Sequence, residues 1–301
     1  MTSAATALDP AHPCRHWVAA LYGRVATVGL SGSGSIVAIN SKKSAVFVTC
    51  QHCFGTSGGL VVPGQRENPN VAVVGMPPTW IDGEIESRQS SGYDQEFRNA
   101  YAIFAPKAPK SAFDKKGSLS NIEPRHDFVI SALSGRINRI TGHLGMMPPR
   151  DIPPDPVRPR DPAALLGTGE HTAAPVVGAL VLTLGYPKSM GRQLAFSVGP
   201  VLADDVAASV IARAEPGEAA IPYDPEIEFL VASQLSEGNS GGGVFDREGR
   251  FLGVMVRASV TPVDGAHFVR VVRASAIERA FEAALAAASE SDRAAISPYI
   301  N

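Results

Sequence analysis

Apolar positions in this chain come in short alternating runs separated by turns, and only the end shows helical spacing. Ser35-Ile36-Val37-Ala38-Ile39 and Ser44-Ala45-Val46-Phe47-Val48 alternate around the turn Asn40-Ser41-Lys42-Lys43, the second with some slippage. Such alternation marks half-buried strands, so residues 25–49 predict two or three of them. Short apolar runs follow at 60–62 and 71–74. Residues 80–120 are mixed and polar without a clear period, and 128–133 predict another strand. The texture then changes: residues 146–175 carry eight of the 24 prolines, interspersed with Arg and Asp. Proline removes a backbone donor and fixes φ, so this stretch cannot hold a ladder or a helix and predicts an extended connector between two lobes. Strand signals return at 176–184, 193–201, 227–233, 243–245, 251–256 and 267–272. At the end, Ser275 and Glu278 have the spacing of a capping box. Ile277, Phe281, Ala284, Leu285 and Ala288 recur at helical spacing, predicting an amphipathic helix of about four turns packed on the second lobe.

Composition narrows the functional classes. With 45% hydrophobic and 19% charged residues over 301 positions, the chain is globular and long enough for one large domain or two small ones. A net charge of −2 leaves no basic field for nucleic acid or an anionic membrane. Three cysteines do not make a disulfide scaffold. The first 13 residues lack Lys, Arg and an apolar run, and the longest apolar region, 173–184, is interrupted by Pro175 and Gly178. Neither a signal nor a membrane span is expected, so the expected location is cytoplasmic, or exported if a signal was trimmed.

The chemistry concentrates in Ser236-Glu237-Gly238-Asn239-Ser240-Gly241-Gly242-Gly243. Glycines at −2, +1, +2 and +3 of a serine clear space for close approach and permit positive φ. A nucleophile beside a backbone oxyanion hole needs that clearance, with the amides of Gly238 and Ser240 as donors. A glycine-rich loop without chemistry would read the same in isolation. Two other segments change the balance: His52 follows a strand in Thr49-Cys50-Gln51-His52-Cys53, and Asp127 leads into one in His126-Asp127-Phe128-Val129. A hydroxyl needs a base at neutral pH, and the base needs an orienting carboxylate. His, Asp and Ser in this chain order form a candidate triad.

These segments together resemble the trypsin/chymotrypsin-fold serine proteases, most closely the bacterial Deg (high-temperature-requirement) branch. The resemblance is carried by Gly32-Ser33-Gly34-Ser35-Ile36, Thr49-Cys50-Gln51-His52, Asp127-Phe128-Val129 and Gly238-Asn239-Ser240-Gly241-Gly242. Leu184-Gly185-Tyr186-Pro187, Ser197-Val198-Gly199-Pro200-Val201 and the hairpin around Gly249 extend it, so that it spans about 30–272 with gaps. It implies an all-β fold of two antiparallel six-stranded β-barrels with a C-terminal α-helix: a first barrel over 20–135, the connector at 136–176, a second barrel over 177–275, and the helix and tail at 276–301. It further implies a serine endopeptidase acting through an acyl-enzyme, with His52, Asp127 and Ser240 catalytic, a protein or peptide substrate, and no cofactor. A latent or inactive module that binds a protein partner, or a protease switched on by one, is the alternative. Gln51 and Cys50 replace small residues before the histidine and are expected to crowd the first barrel. Asn239 stands where zymogen-activated members carry Asp, so activation by a new N-terminus is not expected. The spacings of 75 and 113 positions between the three residues suggest insertions near 80–120 and 145–175. No room for a PDZ domain is expected after 275.

By the same register, Gln234 would lie at the base of the primary specificity pocket. Val256, Arg257 and Ala258 would form the strand that pairs with substrate, and Gly265 would line the opposite wall. His267 near this pocket would favour an acidic side chain, whereas a hydrogen-bonded structural histidine is the plainer reading. Cys50-x-x-Cys53, with Cys14, His12 and His16, superficially suggests a metal. His52 lies between the thiols and no second pair exists, so no metal is expected and buried thiols are the reading. A disulfide at these cysteines is expected only for an exported protein.

Overall fold

The computed structural model describes residues 5–6, 25–28, 32–39, 45–53, 79–82, 99–106, 108–112, 121–133, 172–187, 195–214, 221–234, 238–259, 261–291, 293, 294 and 297. The apolar runs at 60–62 and 71–74 and nearly all of the proline-rich stretch lie outside them.

Among the described residues, thirteen strands form two antiparallel sheets. The first has six strands: β2 (Val25–Val28), β3 (Gly32–Ile39), β4 (Ala45–Thr49), β7 (Val129–Leu133), β6 (Asn99–Phe104) and β5 (Thr79–Asp82), in that spatial order. The second runs β1 (Ala5–Thr6), β9 (Ala195–Pro200), β8 (Leu180–Gly185), β11 (Gly243–Phe245), β12 (Phe251–Ala258), β13 (Phe268–Arg273) and β10 (Glu228–Ala232). The fold is therefore mostly β, in the trypsin-like pattern of two curled sheets followed by a helix. The second sheet has one strand more than expected, because Ala5–Thr6 pairs with Phe196 and Ala195 at its edge.

The predicted strands fall where the alternation is clean. The polar region 80–120 is a correction: it supplies β5 and β6, two strands of the first sheet, and is not simply an insertion. For β6 the reason is a register shift between Ala102 and Phe104 where it pairs with β7. A bulge moves the side-chain phase by one position, which erases the period-2 signal.

Among the described residues, two α-helices pack against the second sheet. α1 (Asp204–Ala214), not foreseen from the sequence, buries Ala207, Val210 and Ile211 against Leu230 and Phe268. α2 (Ala274–Ala287) is the expected amphipathic helix. Its start is corrected: Arg273 is the N-cap, without a side-chain capping bond, and Ser275 lies inside the first turn. The helix runs straight on from β13, so the strand end fixes its entry. Ala274, Ile277 and Phe281 are buried, as the spacing required. The helix also reaches the first sheet, where the Phe281 ring lies 5.7 Å from that of Phe104.

The core of the second sheet is largely aliphatic, formed by Val181, Phe229, Val231, Val244, Leu252, Met255, Val269 and Val271 among others. An ion pair is buried on the other face of β10 and β13, the face of Leu230 and Phe268. Arg270 donates to both Glu228 oxygens (2.7 and 2.6 Å) and to the Ile221 and Pro222 carbonyls, and both partners are 1% exposed. Its bidentate geometry and extra acceptors offset the desolvation that such a pair costs.

Candidate active site

Strand register brings the first two candidate residues together. β4 and β7 are antiparallel neighbours with Thr49 opposite Val129. Continuing past Thr49 leads to the 3-10 turn Gln51–Cys53, and stepping back from Val129 leads to Asp127, so both segments leave the same end of the paired strands. The aspartate turn is pre-set by Pro124 at the start of the 3-10 turn Pro124–His126, where a missing N–H costs nothing. Asp127 follows with its N–H on the Pro124 carbonyl.

Asp127 is 1% exposed and grips the histidine turn twice. Its Oδ2 is 2.7 Å from His52 Nδ1, and its Oδ1 accepts the His52 backbone N–H at 3.0 Å. The tautomer with hydrogen on Nδ1 is thereby fixed, leaving Nε2 free to take a proton. Burial by itself would pull the His52 pKa down. The facing carboxylate, with Cys53 and the Asp127 hydrogen bond adding to it, outweighs burial and lifts it to about 9.

Gln51 is the departure that the sequence reading expected to crowd the barrel. It is fully buried, and its amide donates to the Pro106 carbonyl at 2.8 Å and to the His126 carbonyl at 3.0 Å. It ties the histidine turn to the residue preceding Asp127. A polar side chain in an apolar run was the available signal, and its partners lie 55 and 75 positions away.

The serine loop belongs to the second sheet but is bonded into the first. Gly241 donates to the Met255 carbonyl (2.7 Å) and Gly242 to the Asn239 carbonyl (2.9 Å), shaping the turn before β11. Ser33 of β3 reaches it from the other sheet. Its backbone N–H donates to the Ser240 carbonyl at 2.7 Å, and its hydroxyl donates to the Gly238 carbonyl at 2.8 Å while accepting the Tyr186 N–H at 2.9 Å. The Ser33 carbonyl accepts the Thr49 hydroxyl at 2.6 Å. One buried serine thus connects the strand before the histidine turn, the serine loop and the end of β8. The sequence offered it only as part of a glycine-serine resemblance. Glycine is required here twice. Gly238 and Gly241 have φ of 104° and 85°, and a Cβ on Gly241 would strike the Ser33 carbonyl and the Thr49 hydroxyl. Asn239 is buried against Gly185.

The expected specificity residues are placed as follows. Gln234 is exposed just beyond β10, and Val256 is buried. Arg257 and Ala258 are paired on the β13 side, with Val256 at a register shift, while β11 has already ended, so among the described residues the other edge of this segment carries no strand. Arg257 is half-buried on this segment and donates to the Ile122 carbonyl of the first lobe at 3.3 Å. Its charge slightly opposes protonation of His52. Gly265 sits in a turn at φ 75° with open space at its Cβ position. His267 Nδ1 is 3.2 Å from the Ser259 hydroxyl and 3.4 Å from the Ser259 carbonyl, the arrangement of a structural histidine. No helix among the described residues is long and apolar enough to cross a membrane.

Comparison with known proteins adds a family. The profile of the trypsin-like peptidase domain matches residues 32–254, a span that contains His52, Asp127 and Ser240. No curated protein matches the chain. Among solved structures, an inactive mutant form of Rv3671c from M. tuberculosis H37Rv is similar at 16% identity, with 91% of this chain and 94% of that one covered and a TM-score of 0.44. A thermostable serine protease, AL20, from an extremophilic microorganism is similar at 14% identity (88% and 98% covered, TM-score 0.45). A Glu endopeptidase in complex with MPD is similar at 12% identity (94% and 97% covered, TM-score 0.44).

Proposed function

We propose that this chain, which belongs to the family of trypsin-like peptidase domains, is a serine endopeptidase that cleaves peptide bonds through an acyl-enzyme on Ser240. The observation that carries the reading is the buried Asp127 carboxylate holding both the ring and the backbone of His52. In the proposed mechanism His52 Nε2 takes the Ser240 hydroxyl proton as the oxygen attacks the scissile carbonyl. The amides of Gly238 and Ser240 receive the developing oxyanion. The imidazolium, stabilised by Asp127, gives its proton to the leaving amine. Water then repeats the sequence on the ester and frees the acid.

The substrate is a protein or peptide chain. Its backbone pairs with the open edge of residues 256–258, a mode in which main-chain bonds supply affinity. Gln234 forms the base of the pocket for the side chain before the cleaved bond, and Gly265 lines its opposite wall. No acidic residue stands at the Gln234 position, so a preference for Arg or Lys lacks its counter-charge. The segments around His52 and Ser240 favour the bacterial Deg branch within the family.

A fluorophosphonate probe, which phosphonylates an activated serine, tests the reading. Labelling that Ser240→Ala abolishes is the expected result. Absence of labelling and of cleavage across a peptide library would overturn it in favour of a module that binds a protein partner without catalysis.

A further inference from the structure

Cys50 and Cys53 bracket His52, and neither thiol has a part in the proposed peptidase chemistry. The Cys53 N–H donates to the Cys50 carbonyl at 3.3 Å, closing a turn over three residues. In a turn of this type the side chains at i and i+3 eclipse on one face. The two sulfurs accordingly lie within 4.8 Å of one another. Three residues of such a turn rise about 6 Å, inside the roughly 4.4–6.8 Å between Cα atoms that a disulfide spans. Both side chains are buried, at 0% and 2% exposure.

Each thiol also reaches across to the second sheet. The Cys50 Sγ–H donates to the Met255 carbonyl at 3.0 Å, and the Cys53 Sγ–H donates to the Ser240 carbonyl at 3.6 Å. The Met255 carbonyl is the one that also holds the Gly241 N–H. The reduced pair therefore bonds the histidine turn to the serine loop through Cys53, and through Cys50 to the β12 carbonyl that also holds that loop. A disulfide has no S–H to donate, so closing it removes both bonds and draws the sulfurs towards each other.

We propose that Cys50 and Cys53 form a reversible dithiol–disulfide pair whose oxidation loosens the serine loop from the histidine turn. The bond and the loosening stand on the geometry above, and only their effect on turnover rests on the peptidase reading. The oxidant is a small peroxide. The Cys53 thiolate attacks the O–O bond, giving a sulfenic acid and, with one proton, water. The Cys50 thiolate then attacks the Cys53 sulfur and expels hydroxide, which is protonated to a second water. Two thiols lose two electrons, the peroxide gains them, and a dithiol reductant reverses the bond by exchange. The order of attack follows from the surroundings. Once Cys53 gives up its proton, the Cys50 thiol turns its one hydrogen from the Met255 carbonyl to the Cys53 sulfur; that bond, aided by the charge of His52, favours the thiolate at Cys53, whereas burial pushes the Cys50 thiol up.

The test uses the full chain carrying Cys14→Ser, so that two thiols remain. After hydrogen peroxide and its removal, the intact mass is expected to fall by about 2 Da, and dithiothreitol to restore it. Amide exchange over residues 238–245 is expected to quicken in the oxidised form. Probe labelling of Ser240 is expected to slow by about tenfold, the scale for losing two modest hydrogen bonds. A further Cys50→Ser change should abolish the mass loss and the quickened exchange. An unchanged mass, or a gain of oxygen alone, overturns the pair. A disulfide that leaves loop exchange unchanged overturns the loosening. If mass and exchange respond as expected while neither redox form reacts with the probe, the thiol pair stands and the peptidase reading falls.

Discussion

His52 has its Nδ1 and its backbone N–H on one buried carboxylate, and that double contact decides its behaviour. Its pKa lies near 9 against an ordinary 6.5, so the imidazolium is the favoured form at neutral pH. A general base must be neutral, and kcat/KM reports the free enzyme. A pH–rate profile on a peptide substrate is therefore expected to climb through neutrality and reach half its plateau near pH 9. Stability has the opposite sign. The folded pKa is raised, so the pair's contribution is complete below about pH 6.5 and is lost as pH rises through about 9. Urea midpoints measured across that window should fall. Asp127→Asn removes the carboxylate that lifts the pKa and fixes the tautomer, and turnover is expected to fall by on the order of 10⁴-fold. A profile with its midpoint near 6.5 in the parent chain would contradict the account.

At the scale of elements, β3 and the serine loop form one unit although 205 positions separate Ser33 from Gly238. The loop adopts positive φ at Gly238 and Gly241, and the backbone of β3 lies against the second of these. A methyl group at Gly241 would meet the Ser33 carbonyl and the Thr49 hydroxyl, neither of which can move without breaking its bond to the other. Gly241→Ala is expected to cost about 2–4 kcal/mol, from backbone strain and overpacking together. Chemical denaturation measures it, and labelling of Ser240 should be lost before the fold is. At Gly265 the φ is also positive but the Cβ position is open. Alanine there should cost only the strain, about 1–2 kcal/mol. The contrast between the two glycines separates crowding from conformation.

Across the whole molecule, the described residues join the two sheets at the site and well away from it. Ser33 and the thiols bond the site itself, Arg125 of the first lobe pairs with Asp224 of the second at 2.9 Å, and α2 lies across both. The Arg125 pair is partly exposed and contributes little. The helix contributes more, because Phe281 is 4% exposed and packs on Phe104, which in turn meets Phe128 beside Asp127 at 5.8 Å between ring centroids. Phe281→Ala is expected to destabilise by about 3–5 kcal/mol, the range for a buried phenylalanine. Since the cavity would open one ring away from the aspartate turn, calorimetry should show the loss together with slower labelling of Ser240.

Much of this was legible in the order of residues. Alternating runs placed the strands of residues 25–49 and most of those after 179, and the spacing of Ile277 and Phe281 placed the last helix. Local chemistry marked His52, Asp127 and Ser240, because glycine framing and strand-edge positions are properties of neighbouring residues. What the sequence could not disclose depends on partners far along the chain. The phase of β6 is set by a bulge against β7, so 99–104 carried no readable period. The start of α2 is set by the end of β13 and not by a capping serine. Gln51 and Ser33, which hold the site together, act on carbonyls 55 to 205 positions away. Residue type and spacing determined which groups could do chemistry. Tertiary structure decided which carbonyls and carboxylates face them, since hydrogen bonds between distant segments exist only once the sheets have closed on each other.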